Sequence, residues 1–357
     1  MKLYGTIAVH VQAADILRTP KFFEKVKRAF GGKPDLRTGK MRAAIEATAL
    51  VEASRDALTK LGANNAVSLV IDDTVLFHDR EGKPDDLGDL FLAFHDNSSV
   101  FGEGFDELRL AVEHHEAGLH IVIEVQARTV HAANAPAIRI IASGRVEALT
   151  PKPSEDAESY RKRAEPIASD AKALEMYRVQ FESFVDRIKE AIAAAMPTAR
   201  AEVERAEARV VRPEGKDGEQ AQQPDARYYD PYVAYYPSPL GFAAEMLMWS
   251  AMFSMMMPPH FHVVDHHNHV QGFADEPGIK DGPTASAEPA ATSEGNWYDG
   301  DGSAAADTAG SDGGNWHDGD SSGADSGADS GGGDGGSWWG GDGGGDGGGF
   351  DGGGFFD

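Results

Sequence analysis

A break in composition near Val270 constrains this chain more than any other feature. Beyond it lie 28 of the 42 glycines and 18 of the 58 acidic residues, against a single base, Lys280. Such a stretch has little apolar surface to bury and strong self-repulsion, so residues 271–357 are expected to form a disordered acidic Gly/Asp-rich tail. A core has to come from what precedes it. The tail also carries most of the formal net charge of −25, leaving 32 bases and 40 acids upstream. Phosphates would be repelled by the tail, so nucleic acid is not a favoured partner.

Residues 1–211 read as one α+β domain, with an antiparallel sheet of about four or five strands packed against amphipathic helices. Ile7, Val9 and Val11 alternate as in a half-buried strand. Thr19-Pro20 then opens a helix over Lys21–Phe30, and Gly62 closes a longer one running from about Lys40 to Leu61. From Val67 the period falls to two. Val67–Phe77 reads as one strand, and Glu107–His115, Leu119–Val130 and Ala137–Leu149 as three more. Their short connections, with Ala117-Gly118 as one turn, make the last three an antiparallel meander. Helix returns after Pro153 with an interruption at Pro166, and Ala168–Met196 carries a long apolar stripe. Thr198–Val211, mostly charged, reads as one further helix. Residues 212–227 form a polar linker.

Residues 228–270 follow as a segment of a different kind. Five tyrosines stand among prolines between Tyr228 and Pro237, a spacing that favours extended or turn backbone over helix. Leu240–Met257 holds six methionines and one charge, Glu245, in eighteen residues. That is short of the roughly twenty residues of a bilayer span. A helix docked on the domain leads, and peripheral contact with a membrane or a partner through Leu240–Met257 is the alternative. Next come His260, His262, His266, His267 and His269. Imidazole at this density suits Zn, Cu or Ni, and these five are the candidate metal ligands.

Three other groups could carry chemistry. Phe77-His78-Asp79 and Phe94-His95-Asp96 repeat a His-Asp unit, which offers a metal-dependent hydrolase using His78, Asp79, His95 and Asp96. His114-His115-Glu116 and His120 lie across the Ala117-Gly118 turn, though strand alternation sends His114 and His115 to opposite faces. Asp72-Asp73 is a weaker carboxylate pair, split by the same alternation. No nucleophile elbow, phosphate loop or dinucleotide fingerprint occurs.

The tail repeats Gly295-Asn296-Trp297-Tyr298-Asp299-Gly300-Asp301 as Gly314-Asn315-Trp316-His317-Asp318-Gly319-Asp320, with a looser copy at Gly336–Asp342. Spaced aromatics in a Gly/Asp background suit partner binding. The function expected from the sequence is therefore a non-enzymatic interaction or scaffold protein, with protein partners engaged through residues 228–357. A Met/His-rich metal-binding protein and the hydrolase are the alternatives. The basic residues between 18 and 42 could attract the acidic tail within one molecule. Cysteine is absent, and no apolar leader with a small-residue cleavage site follows the first residues, so a cytoplasmic protein is expected.

Overall fold

The computed structural model describes residues 1–11, 39–72, 74–84, 87–96, 104–129, 135–212, 229–237, 240–254, 260–265, 268–276 and 279. The helix expected over Lys21–Phe30, the basic stretch between 18 and 42 up to residue 38, the linker, and the tail beyond 280 lie outside them.

The sequence alternates strongly enough to build nine strands among the described residues: β1 (Lys2–His10), β2 (Asn65–Ile71), β3 (Thr74–His78), β4 (Glu107–Glu116), β5 (Leu119–Arg128), β6 (Ile138–Val146), β7 (Arg200–Val211), β8 (Phe261–Val264) and β9 (Val270–Phe273). They form one mixed sheet in the order β3-β2-β4-β5-β6-β1-β7-β8-β9, antiparallel throughout except at β7–β8. The α+β class holds, with a sheet about twice the expected size. Three differences account for the increase. Val67–Phe77 is a hairpin, folded back where Asp72 takes φ 49° and accepts hydrogen bonds from the amides of Asp106 and Glu107. Most of Thr198–Val211 is strand rather than helix, because β1 offers a partner from Arg200 to Arg209. Its abundant Ala, Glu and Arg favour helix only where no such partner exists. Third, β8 and β9 extend the sheet past the boundary expected at 211.

One sheet face is apolar. Leu3, Ile7, Val9, Leu110, Val112, Ile121, Ile123, Val125 and Ile140 pack there against α1 (Gly39–Lys60) and α4 (Ala171–Ala195). The helices fold as their signals require. Asp156 caps α3 (Ala157–Ala168) and Asp170 caps α4, each accepting two backbone N–H groups, and Pro166 sits in the last turn of α3. Gly5 is where α4 comes closest: a Cβ there would stand 2.8 Å from Val185 Cγ2. A short helix, α2 (Leu90–Asp96), forms between β3 and β4 and buries Leu90, Phe91 and Phe94.

Two elements from the 228–270 segment close the unit. The sequence between the tyrosines does make a helix, α5 (Pro231–Tyr235), because Asp230 caps it and Pro231 takes its first turn. Helix α6 (Gly241–Ser254) sinks Met248 and Trp249 into the core, each 1% exposed. No helix among the described residues is long and apolar enough to cross a membrane.

Candidate functional site

The second sheet face carries the polar half of the strand alternation. On β4 it presents Arg109, Ala111, Glu113 and His115, and on β5 His120, Val122, Glu124 and Gln126. The two-residue turn at Ala117 (φ 52°) and Gly118 (φ 77°) fixes the register, so His115 lies directly opposite His120. Their rings stack 4.3 Å apart and 3° from parallel. His114 points the other way and stacks on Phe184 in the core, as alternation requires.

A strap over residues 229–236 crosses this face, and its tyrosines reach down onto the sheet. Asp230 anchors it, accepting from Ser143 Oγ at 2.5 Å and from Arg145 Nη2 at 2.7 Å, while its own carboxylate also caps Tyr232 N. The hydroxyls of Tyr229 and Tyr235 donate to Glu124 Oε2 at 3.0 and 2.8 Å, and Gln126 Nε2 donates to its other oxygen. Glu124 is fully buried, so these three donors are what make its burial tolerable. Tyr236 donates to Glu113, and the Tyr232 hydroxyl lies 2.9 Å from His120 Nδ1. Burial pushes the Tyr232 hydroxyl up to about 12, so it stays protonated at neutral pH.

Glu113, His115 and His120 converge: one ligand atom from each lies within 4.8 Å of the others, and among the described residues they are the only such group of three. Each of the three is oriented by a second partner. His115 Nδ1 is 2.7 Å from Glu147 Oε1, and its Nε2 has no hydrogen-bond partner among the described residues. His120 Nε2 is 3.1 Å from Glu113 Oε2, and Asn65 Nδ2 donates to Glu113 Oε1 at 2.6 Å. The His120 ring holds the Glu113 carboxyl down to about 2 against the cost of burial, with Tyr236 and Asn65 adding to the effect. A carboxylate only accepts, so in this arrangement His120 Nε2 carries the proton and Tyr232 donates to Nδ1. A cation at Nε2 would need that proton to leave. Tyr232 can reverse its hydrogen bond and accept from Nδ1, so the strap supports either tautomer.

The residues expected from the sequence are placed differently. Among the five clustered histidines, His260 is exposed on a turn. His262 pairs with Glu207 at 3.3 Å and packs on Phe273, and His269 pairs with Asp265 at 2.9 Å across the β8–β9 loop. These three do not converge on a common point, and His266 and His267 lie outside the described residues. Nor do His78, Asp79, His95 and Asp96 form a ligand group. Asp79 accepts from the amides of Glu81 and Gly82 and closes a turn, while His95 sits on α2 beside Asp96. Asp79 still touches the new site indirectly, because Asn65 donates to it at 3.1 Å while also holding Glu113. Asp72 serves the β2–β3 turn, and Asp73 lies outside the described residues.

The sequence groups His114, His115 and Glu116 with His120 across the turn, but does not bring in Glu113 or the tyrosines. Glu113 was recoverable from period two, since it shares a face with His115. The tyrosines were not, because nothing local links residue 232 to residue 120. Comparison with protein families, with characterised proteins and with solved structures returns no match, so the site is read from its own geometry.

Proposed function

We propose that this chain is a divalent-cation-binding protein, with Glu113, His115 and His120 as its protein ligands on the polar sheet face. The observation that carries the reading is the convergence of two stacked imidazoles and an ionised carboxylate, each already oriented by a partner of its own. Metal-ligating histidines characteristically give their second nitrogen to a carboxylate or hydroxyl, which fixes ring orientation. Glu147 and Tyr232 stand in those positions. Two imidazoles with one carboxylate suit Zn foremost, with Cu and Ni next, and three protein ligands leave one position open to water or a small molecule. A cytoplasmic setting agrees with a chain that has no cysteine.

Isothermal titration of the full-length protein with Zn tests this. The confounding cluster is removed first, by replacing His260, His262, His266, His267 and His269 with alanine. That variant should keep one equivalent of tight binding, and adding His115→Ala with His120→Ala should abolish it. Loss of all binding in the five-histidine variant alone would overturn the assignment.

A second reading is a protein-interaction role, favoured by the three spaced Trp units between Gly295 and Asp342. The burial of Tyr232, Met248 and Trp249 in the chain's own fold narrows the partner-binding stretch to the residues that follow. Pull-down with the chain ended after residue 293 should lose the partners that the full chain retains. An unchanged set of captured proteins would exclude the role.

A further inference from the structure

The strap covers only part of the polar face. Past Tyr229 the face continues as an open groove of about 710 Å³, within the size range of small-molecule sites. Four arginines line it, Arg109, Arg128, Arg139 and Arg205, with two carboxylates, Glu107 and Glu204. A chain of net charge −25 has thus gathered an excess of cations in one concavity. The two carboxylates do not saturate them. Glu107 accepts from Arg128 Nε at 2.9 Å and stands 3.6 Å from Arg109 Nε, and Glu204 stands 3.8 Å from Arg139 Nε. Both of those Nε atoms are buried without a hydrogen-bond acceptor among the described residues. Arg205 has no ion-pair partner there either.

Thr6 supplies an independent sign. It lines the groove, is 7% exposed, and its hydroxyl finds no hydrogen-bond partner among the described residues. A buried hydroxyl without a partner is unfavourable, and an acceptor in the groove would satisfy it.

We infer that this groove binds a small organic anion carrying two or more carboxylate or phosphate charges. Guanidinium forks match both oxyanions in two-point contact, and the excess of two positive charges sets the minimum ligand charge. The site is separate from the cation ligands, since none of Glu113, His115 and His120 lines it.

The test is calorimetric titration of full-length protein, stripped of metal on a chelating resin, with pyrophosphate and with citrate as probes. Saturable binding that weakens with added salt is expected for at least one of them. Preference for pyrophosphate would assign the phosphate class, and preference for citrate the carboxylate class. Arg139→Gln and Arg205→Gln should each weaken binding about tenfold, with the thermal midpoint of the free protein unchanged in Arg205→Gln because that side chain is exposed. Thr6→Val should weaken it severalfold at the same shape. Failure of both probes to saturate at millimolar concentration would overturn the inference, as would wild-type affinity in the Arg139→Gln/Arg205→Gln double variant.

Discussion

Replacing Asp230 with alanine should release the tyrosine strap. The Asp230 side chain is 5% exposed and the Arg145 side chain 13%, and their 2.7 Å contact is reinforced by Ser143 and the Tyr232 amide. Removing one partner of a buried ion pair costs about 3–5 kcal/mol, because the other charge is left desolvated. Arg145 keeps a hydrogen bond to Gly144 O at 2.9 Å and lies 4.5 Å over the Tyr232 ring, which places the expected loss near the lower end, about 3 kcal/mol. At roughly 2 kcal/mol per molar urea, the unfolding midpoint followed by circular dichroism should fall by about 1.5 M. Hydrogen exchange over residues 229–236 should accelerate in the same variant. A midpoint within about 0.5 M of wild type, below 1 kcal/mol by that slope, would refute the anchoring role. The same pair predicts a pH dependence. Burial opposes ionisation of Asp230, but the charges of Arg145 and Lys2 outweigh it and hold the carboxyl below its ordinary value. Its contribution is therefore complete above about pH 4, the unfolded value, and is lost as pH falls through the lower folded value. Asp230→Asn should flatten that acid limb of the stability profile.

Gly5→Ala would set a Cβ 2.8 Å from Val185 Cγ2, and this overpacking should cost about 1–3 kcal/mol in chemical denaturation. Ala117→Asn places a residue tolerant of positive φ at the β4–β5 turn, and should raise stability by about 0.5–1 kcal/mol in the same assay. Trp249→Ala empties a fully packed position on α6 and should cost about 3–5 kcal/mol; a loss under 1 kcal/mol would mean that α6 is not docked as described.

The parts of this fold that the sequence discloses are those where one period runs uninterrupted. Leu108, Leu110 and Val112 on one strand and Leu119, Ile121 and Ile123 on the next, with the Ala117-Gly118 turn between, specify the β4–β5 hairpin, and the Phe181–Ile192 stripe specifies α4. Strand β7 escapes such reading because Ala-Glu-Val-Glu-Arg-Ala is locally helical, and only pairing with β1 decides it. The site divides in the same way. His115 and His120 are joined by a two-residue turn and so are legible together. Glu124 gives no local hint that Tyr229 and Tyr235 will satisfy it from more than a hundred residues away. Histidine density at 260–269 drew attention that convergence did not support among the described residues, since His262 and His269 turn to Glu207 and Asp265.

The cation site on the sheet can be seen in the zinc-edge anomalous difference map of crystals grown with Zn. A peak is expected about 2.0–2.2 Å from a ring nitrogen of His115, a ring nitrogen of His120 and a carboxylate oxygen of Glu113. A peak confined to the 260–269 histidines, with density at Glu113 and His120 unchanged, would contradict it.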